Sequence, residues 1–134
     1  MLLSYRNVQD SALHDEAVVP SRKPATRREL MRRLSLGVDF MHSRYRDDIL
    51  LKDIAVAAHL SPFHFLRVFK TVYHISPSEY LSRKRSAAAL RLLQESDWNM
   101  NEIAEQVGFG SRTSMYRHLR ARYGFEPKAL RSRR

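Results

Sequence analysis

The amino-acid sequence predicts an all-α fold in which two helix-turn-helix units are separated by one long helix. Two stretches, about 51–72 and about 100–122, each place apolar residues at helical spacing on both sides of a short turn. Between them, residues from about 77 to 95 show one uninterrupted helical pattern. The two stretches also repeat each other with a period of about 50 residues, which indicates a duplicated supersecondary unit.

The first helix is predicted over about 26–46, where Leu30 and Leu34 belong to an apolar series that recurs every three or four residues. Gly37 lies inside this series and lowers helix propensity by about 1 kcal/mol relative to alanine, so we expect fraying near it. Residues 1–25 show no sustained periodicity. We interpret them as a flexible leader, with a short partner-binding arm as the alternative.

The second helix-turn-helix has the clearer local pattern. Asn99 and Glu102 have the spacing of a capping box. Gly108 follows where a left-handed residue commonly ends a helix, and the next helix begins near Ser111. That second helix is predicted to bury Met115 and to turn a polar, basic set outward: Arg112, Thr113, Tyr116, Arg117 and Arg120.

The first copy aligns with the second, with one residue fewer in its turn. His59 falls on Gly108 after a shift of 49, whereas Phe65 falls on Met115 after a shift of 50. Histidine adopts a positive φ more often than most residues, so it is tolerable in the turn.

Between the copies, the helix over about 77–95 predicts a spacer. Serine–proline pairs at 61–62 and 76–77 supply an N-cap and a first-turn proline to the helices that follow. Nineteen residues at 1.5 Å each span about 28 Å, close to the ~34 Å of one DNA turn. In a helix-turn-helix that binds DNA, the second helix is the recognition helix and enters the major groove. A spacer of this length could present the recognition helices of both units to one face of a duplex.

Charge points to a polyanionic partner. The 134-residue chain has 24 Lys and Arg against 14 Asp and Glu, a formal net charge of +10, which favours nucleic acid or an anionic membrane surface. The excess is concentrated in residues 111–134, which hold eight basic residues and one acidic residue. No signal pattern precedes the first helix and no run approaches the ~18 apolar residues of a membrane span, so we expect a cytoplasmic protein without a membrane partner.

The composition argues against an enzyme. The chain has no cysteine, which excludes a disulfide framework, a thiol nucleophile and a thiolate metal site. His59 and His64 are five residues apart and do not share a helical face, and no carboxylate accompanies them at ligand spacing. No serine–histidine–acid or phosphate-loop pattern occurs, so we expect no catalysis, no metal and no cofactor.

Three motifs resemble the DNA-binding domain of the AraC/XylS family of bacterial transcription regulators. They are IAVAAHLSPFHFLRVFK, SPSEYLSRKR and IAEQVGFGSRTSMYRHLRARYGFEPKALR, in that order, and the resemblance covers about residues 34–134. It implies a homeodomain-like fold of about seven helices, with two helix-turn-helix subdomains bound as one unit to adjacent major grooves. We assign residues 26–134 to this domain, and the shortness of residues 1–25 makes the chain similar to stand-alone members or to an excised module.

The chain departs from the family pattern at several core and turn positions. Met115 and Leu119 stand where the family usually has phenylalanine, so we expect a looser second core. His74 replaces the usual glycine that Gly124 retains in the second copy.

Eight residues on the two recognition helices are candidates for base contact: Phe63, His64, Leu66, Arg67, Arg112, Thr113, Tyr116 and Arg117. Phe63 and Leu66 are predicted to be exposed, which suits contact with thymine methyl groups. Arginine can bond guanine bidentately, and the second set matches the family's groove-facing positions. The alternatives are a solvated helix face, or an intramolecular salt bridge at Arg67 or Arg117.

A second group is assigned to phosphate contacts, which position a protein on DNA without selecting sequence. Its members are Ser61, Lys70, Arg83, Arg85, Ser111 and Arg120. Arg122, Arg131, Arg133 and Arg134 are expected to add nonspecific attraction only.

We therefore predict a sequence-specific regulator that binds double-stranded DNA. Because the two recognition helices differ, we expect a monomer on an asymmetric site. Bound beside a promoter, it would touch or block RNA polymerase, and the family resemblance implies activation. Two alternatives remain open. A protein-interaction adaptor would use Phe63 and Leu66 as a partner patch, and a nonspecific nucleic-acid binder would rely on charge alone, although it would lack the stacking aromatics of single-strand binders.

Overall fold

The computed structural model describes residues 24–133, and over this range the chain forms seven α-helices and no strand. They are α1 Pro24–Arg44, α2 Leu51–Ala57, α3 Pro62–Tyr73, α4 Pro77–Glu95, α5 Met100–Val107, α6 Arg112–Tyr123 and α7 Pro127–Ser132. The predicted all-α class and the order of the elements are confirmed. The predicted leader lies outside the described residues except for its last two positions, which belong to α1.

The described helices divide into two compact units. The first unit contains α1, α2, α3 and the start of α4 up to Tyr80. Its core is apolar and includes an aromatic cluster, in which Phe69 stacks on Tyr73 at 4.3 Å between ring centroids. Tyr80 meets both rings edge-on, at 5.5 Å and 5.2 Å. The first turn of α4 therefore closes the core of the first unit.

Gly37 is a point of close approach and not a point of fraying. Helix α1 runs without interruption through it. A Cβ at this position would lie 2.4 Å from Cε1 of Phe65 and 3.2 Å from Cβ of Ala58. Phe65 is fully buried, so its ring packs directly against the backbone of α1. The expected fraying was wrong, because the packing gained offsets the low helix propensity of glycine.

The second unit contains residues 45–48, the rest of α4, and α5, α6 and α7. Its core consists of eight buried apolar residues: Ala89, Leu93, Ile103, Ala104, Val107, Met115, Leu119 and Leu130. Met115 and Leu119 are both 0% exposed. The expected looseness is not supported at these two positions, since their side chains are fully excluded from solvent.

The helix ends follow the sequence-based predictions. Asn99 accepts from the backbone N–H of Glu102 at 2.8 Å, and its own N–H donates to Oε1 of Glu102 at 3.1 Å, which forms the capping box. Gly108 ends α5 in the left-handed region at φ 97°. His59 and His74 adopt φ values of 57° and 65°, so histidine does accept the conformation that glycine supplies in the second unit.

The repeat is preserved in three dimensions at the ends of both recognition helices. Helices α3 and α6 each have 12 residues, begin after a serine N-cap and end at a left-handed residue. The extra residue of the second turn is accommodated by Gly110 at φ 79°, where an added Cβ would meet nothing within 4 Å. The insertion therefore falls where the backbone has room for it.

None of the helices over residues 24–133 has the length and apolar character that a membrane span requires.

Candidate nucleic-acid interface

Helix α3 is held in place by its cap and by one apolar face. The hydroxyl of Ser61 accepts from the N–H of His64 at 3.1 Å, and Pro62 occupies the first helical position. Four inward residues are buried: Phe65, Val68, Phe69 and Tyr73. The opposite face is therefore fixed in direction and turned toward solvent.

The outward face of α3 combines an aromatic ring with cations. Phe63 is 72% exposed, and the guanidinium carbon of Arg67 lies 5.9 Å from the centroid of its ring, within cation–π range. Lys70 is exposed on the same helix. Leu66 is only half-buried, so the prediction that it is exposed alongside Phe63 was wrong; part of its side chain packs within the unit.

His64 sits partly buried beside these groups, and its pKa is lowered. Desolvation is the largest cause, followed by the positive charges of Arg67 and Arg33. The imidazole is therefore neutral near pH 7 and offers one donor and one acceptor nitrogen. The neutral ring can donate a hydrogen bond to a phosphate or a base and can also accept one from a base, whereas an imidazolium could only donate.

Helix α6 repeats the arrangement with a more polar face. Ser111 accepts from the N–H of Ser114 at 3.1 Å, and the helix buries Met115 and Leu119. The outward residues Arg112, Thr113, Arg117 and Arg120 are exposed. Tyr116 was predicted to point outward with them, but it is half-buried and packs against the second core, so only part of its ring is accessible.

The structure shows a contact between the turn and α6, formed by Phe109 and His118, that was not predicted from the sequence. The ring of His118 stacks on Phe109 at 4.9 Å, and its Nδ1 lies 2.9 Å from the backbone oxygen of Ser114. The pair joins the turn to the recognition helix. Nothing in the spacing of positions 109 and 118 indicates it, because the contact depends on the path of the turn through Gly110.

The residues assigned to phosphate contact differ in their surroundings. The Ser61 and Ser111 hydroxyls use a lone pair to cap their helices, so each O–H can still donate. Arg83 is exposed on α4. Arg120 forms a 2.6 Å ion pair with Glu126, but both side chains are more than half exposed, so the pair is weak and open to exchange with a phosphate.

Arg85 has a different role from the one predicted. Its guanidinium donates to the backbone oxygens of Tyr45 at 2.7 Å and Asp47 at 2.9 Å, and burial lowers its pKa. It anchors the segment after α1 and is not directed toward a ligand. We therefore remove it from the candidate phosphate contacts.

Arg131 likewise has an internal function in place of the expected nonspecific attraction. It donates to the backbone oxygens of Leu93 at 3.1 Å, Ser96 at 3.3 Å and Trp98 at 2.6 Å. These carbonyls end α4 and lead into α5, so a single side chain of α7 closes the C-terminal end of α4.

Two capped helices, each supported by a buried core and each presenting polar or cationic side chains outward, define a helix-turn-helix protein of the DNA-binding class. In the described residues, no group of three or more histidine, cysteine or acidic side chains could hold a metal ion. A family model described as a helix-turn-helix domain matches residues 54–133. The chain belongs to this family, in its AraC type, and carries the DNA-binding domain of a transcription regulator.

Curated relatives support the same family over most of the chain. The chain is 28% identical over 129 residues to the regulatory protein PocR of Salmonella typhimurium, covering 96% of this chain and 42% of the relative. It is 37% identical over 79 residues to the helix-turn-helix-type transcriptional regulator Rv1931c of Mycobacterium tuberculosis, covering 59% of this chain and 30% of that protein. The chain thus spans less than half the length of these relatives.

Solved structures share the fold. The DNA-binding domain of the global transcriptional factor AdpA, crystallised with a target DNA, matches with a TM-score of 0.71 at 28% identity, covering 75% of this chain and 90% of that one. An AraC-type regulator from Chromobacterium violaceum matches with a TM-score of 0.70 at 25% identity, over 75% and 90% of the two chains. These relatives and structures are described as a regulatory protein, transcriptional regulators and a DNA-binding domain.

Proposed function

We propose that the protein regulates transcription, as an activator, by placing α3 and α6 in adjacent major grooves of its DNA site. The observation that carries this proposal is the pair of equally long, serine-capped helices that each bury apolar residues at equivalent positions and differ in their outward faces. The AdpA domain with its target DNA is a precedent for this fold on a duplex. A relative described as the lactose operon transcription activator of Staphylococcus xylosus, 32% identical over 73 residues, favours activation.

In the first unit, base recognition is assigned to the outer face of α3. The exposed ring of Phe63 suits a thymine methyl group, and Arg67, supported by that ring, suits a guanine edge. His64 and Leu66 flank this pair and supply secondary contacts through their accessible parts.

In the second unit, Arg112, Thr113 and Arg117 are assigned to bases because all three are exposed on the first two turns of α6. Tyr116 contributes the accessible edge of a ring that is otherwise anchored in the core. At the offset of 50 positions, Thr113 replaces Phe63 and Tyr116 replaces Leu66, whereas Arg117 repeats Arg67. The two helices therefore select different bases at most of these positions.

Phosphate contacts are assigned to the capping hydroxyls of Ser61 and Ser111 and to Lys70, Arg83 and Arg120. These groups lie at helix ends or on exposed helical faces, where they can set register without selecting sequence. We keep residues 26–134 as the DNA-binding domain. Since the two faces differ, the protein binds as a monomer to an asymmetric site and contacts RNA polymerase beside the promoter.

The proposal is tested by selecting bound duplexes from a random DNA pool and then comparing three variants on the selected site and on random DNA. Arg67→Ala and Arg117→Ala should each lower affinity for the selected site by about 1–3 kcal/mol, roughly 5- to 150-fold, with little loss on random DNA. Lys70→Ala should weaken both equally and reduce the salt slope by about 1.

The same experiment separates the other two functions. A protein-interaction adaptor would not shift duplex DNA at physiological salt, and a nonspecific binder would yield no enriched sequence from the pool. Equal losses for all three variants on both DNAs would refute the division between base and phosphate contacts.

A further inference from the structure

The second unit contains a cleft that the DNA-binding proposal does not use. Its volume is about 130 Å³, and its lining includes Tyr45, Arg46, Arg91, Leu92, Trp98 and Val107. The lining comes from α4, α5 and the segments at 45–46 and 98; within the described chain, α6 contributes nothing to it. The cleft is therefore built independently of the recognition face of its unit.

The size of the cleft suits one side chain and not a whole small molecule. Pockets for small ligands usually have volumes of about 300–1,000 Å³, whereas a cavity of about 150 Å³ holds a single benzene ring. A volume of about 130 Å³ lined by Leu92, Val107 and two aromatic rings thus matches one phenylalanine or leucine side chain. Such a side chain would belong to a larger partner.

Trp98 is held in an exposed position by the backbone around it. It is the only tryptophan in the chain and is 43% exposed. Its carbonyl oxygen accepts from Arg131 at 2.6 Å, its N–H donates to the hydroxyl of Ser96 at 3.3 Å, and Asn99 directly after it caps α5. Because the backbone is fixed in this way, only the two side-chain torsions of the indole remain to be ordered when a partner binds.

The rim of the cleft is cationic. The Lys84 ammonium and the Arg46 guanidinium carbon lie 5.2 Å and 5.6 Å from the Tyr45 ring centroid, and Arg91 is exposed on the lining. Lys84 and Arg91 are close enough that Arg91, after desolvation, contributes to lowering the pKa of Lys84. The rim therefore places three cationic side chains, Arg46, Lys84 and Arg91, around an apolar centre.

We propose that this cleft docks an acidic segment of a partner protein that inserts one phenylalanine or leucine between Trp98 and Leu92. Carboxylates on either side of that anchor would pair with Arg46 and Arg91. Trp, Tyr and Arg are the residue types that dominate binding energy at protein interfaces, and all three line this cleft. The inference does not depend on the proposed DNA function, because the cleft shares no residue with the assigned DNA contacts.

The test uses the full chain without DNA and a fluorescein-labelled synthetic peptide of glutamate and serine with one central phenylalanine. Fluorescence anisotropy should show it binding about tenfold or more tightly than the same peptide with a central alanine. A lysine-for-glutamate version should not bind, and Trp98 fluorescence should change only with the phenylalanine peptide. Equal affinity for the three peptides, or no binding by any, overturns the proposal.

Variants locate the binding and separate it from DNA recognition. The double variant Arg46→Gln with Arg91→Gln, and independently Gln106→Glu on the cleft lining, should each weaken the peptide by about tenfold, whereas Arg112→Gln on α6 should leave it unchanged. Circular dichroism confirms that each variant is folded. If saturating duplex displaces the peptide, or if the double variant loses DNA affinity and not peptide affinity, the cleft belongs to DNA and the proposal is wrong.

Discussion

Replacing Gly108 with alanine tests whether the turn of the second unit is fixed by packing as well as by backbone conformation. Gly108 has φ 97°, and a Cβ there would lie 2.9 Å from the backbone oxygens of both Tyr45 and Arg46. These atoms cannot rotate away as a flexible side chain would, and Arg85 holds the same segment by bonding the Tyr45 oxygen. Alanine at 108 therefore meets a rigid obstacle.

Gly124 supplies the matched control. It also has a left-handed φ, 79°, but an added Cβ would meet nothing within 4 Å. Gly124→Ala should therefore lower the free energy of unfolding only through backbone strain, by about 1–2 kcal/mol. Gly108→Ala adds the overpacking term of about 1–3 kcal/mol, for a total of about 2–5 kcal/mol.

The measurement is urea unfolding of both variants, followed by Trp98 fluorescence, which reports on the second unit, and by circular dichroism. The expected difference between the two variants is about 1–3 kcal/mol, with the larger loss at position 108. Equal losses would refute the reasoning, because they would mean that the contact with the Tyr45–Arg46 backbone contributes nothing beyond strain.

Three further predictions concern stability. Arg131→Ala should lower the free energy of unfolding by about 1.5–3 kcal/mol, because three carbonyls lose a charged donor, while the exposed neighbour Lys128→Ala should change it by less than about 0.5 kcal/mol in the same urea titration. Asn99→Ala should lower the free energy of unfolding by about 1 kcal/mol, and an unchanged thermal melt would show that the capping box does not contribute to stability. For His64, the folded-state pKa lies below its ordinary value, so its contribution to stability is complete above about pH 6.5 and declines as the pH falls through that value. His64→Asn should flatten this part of the stability profile between pH 7.5 and 5.5, and an unaltered slope would assign the effect to other groups.

Local features of the fold could be predicted from the sequence because neighbouring residues determine them. The capping box at Asn99 and the left-handed turns at His59 and Gly108 each depend on side-chain chemistry within a few positions. The recognition helices follow from apolar spacing alone, since inward positions on α3 and α6 repeat every three or four residues. These elements in turn fix which side chains of both helices face outward.

Contacts between distant parts of the chain could not be predicted in this way. From the sequence alone, Arg85 and Arg131 were predicted to be surface cations, yet each binds backbone carbonyls 33 or more positions away. The low helix propensity of Gly37 predicts a weak point in α1, and the contact with Phe65 that stabilises it forms only when the chain is folded. The partial burial of Leu66 and Tyr116 has the same origin. The helical period predicts the direction in which a side chain points, but not how far neighbouring side chains cover it.

Because α3 and α6 have the same length and the same type of cap, their outward residues can be exchanged by mutagenesis. Both have 12 residues between a serine and a left-handed residue, so the inward residues can stay while the outward ones are transplanted at an offset of 50 positions. Under the proposed function, a chain that carried the outer face of α3 on both helices would offer the same base-contacting side chains from each unit. The duplication that built the molecule thus also leaves it open to reprogramming one half at a time.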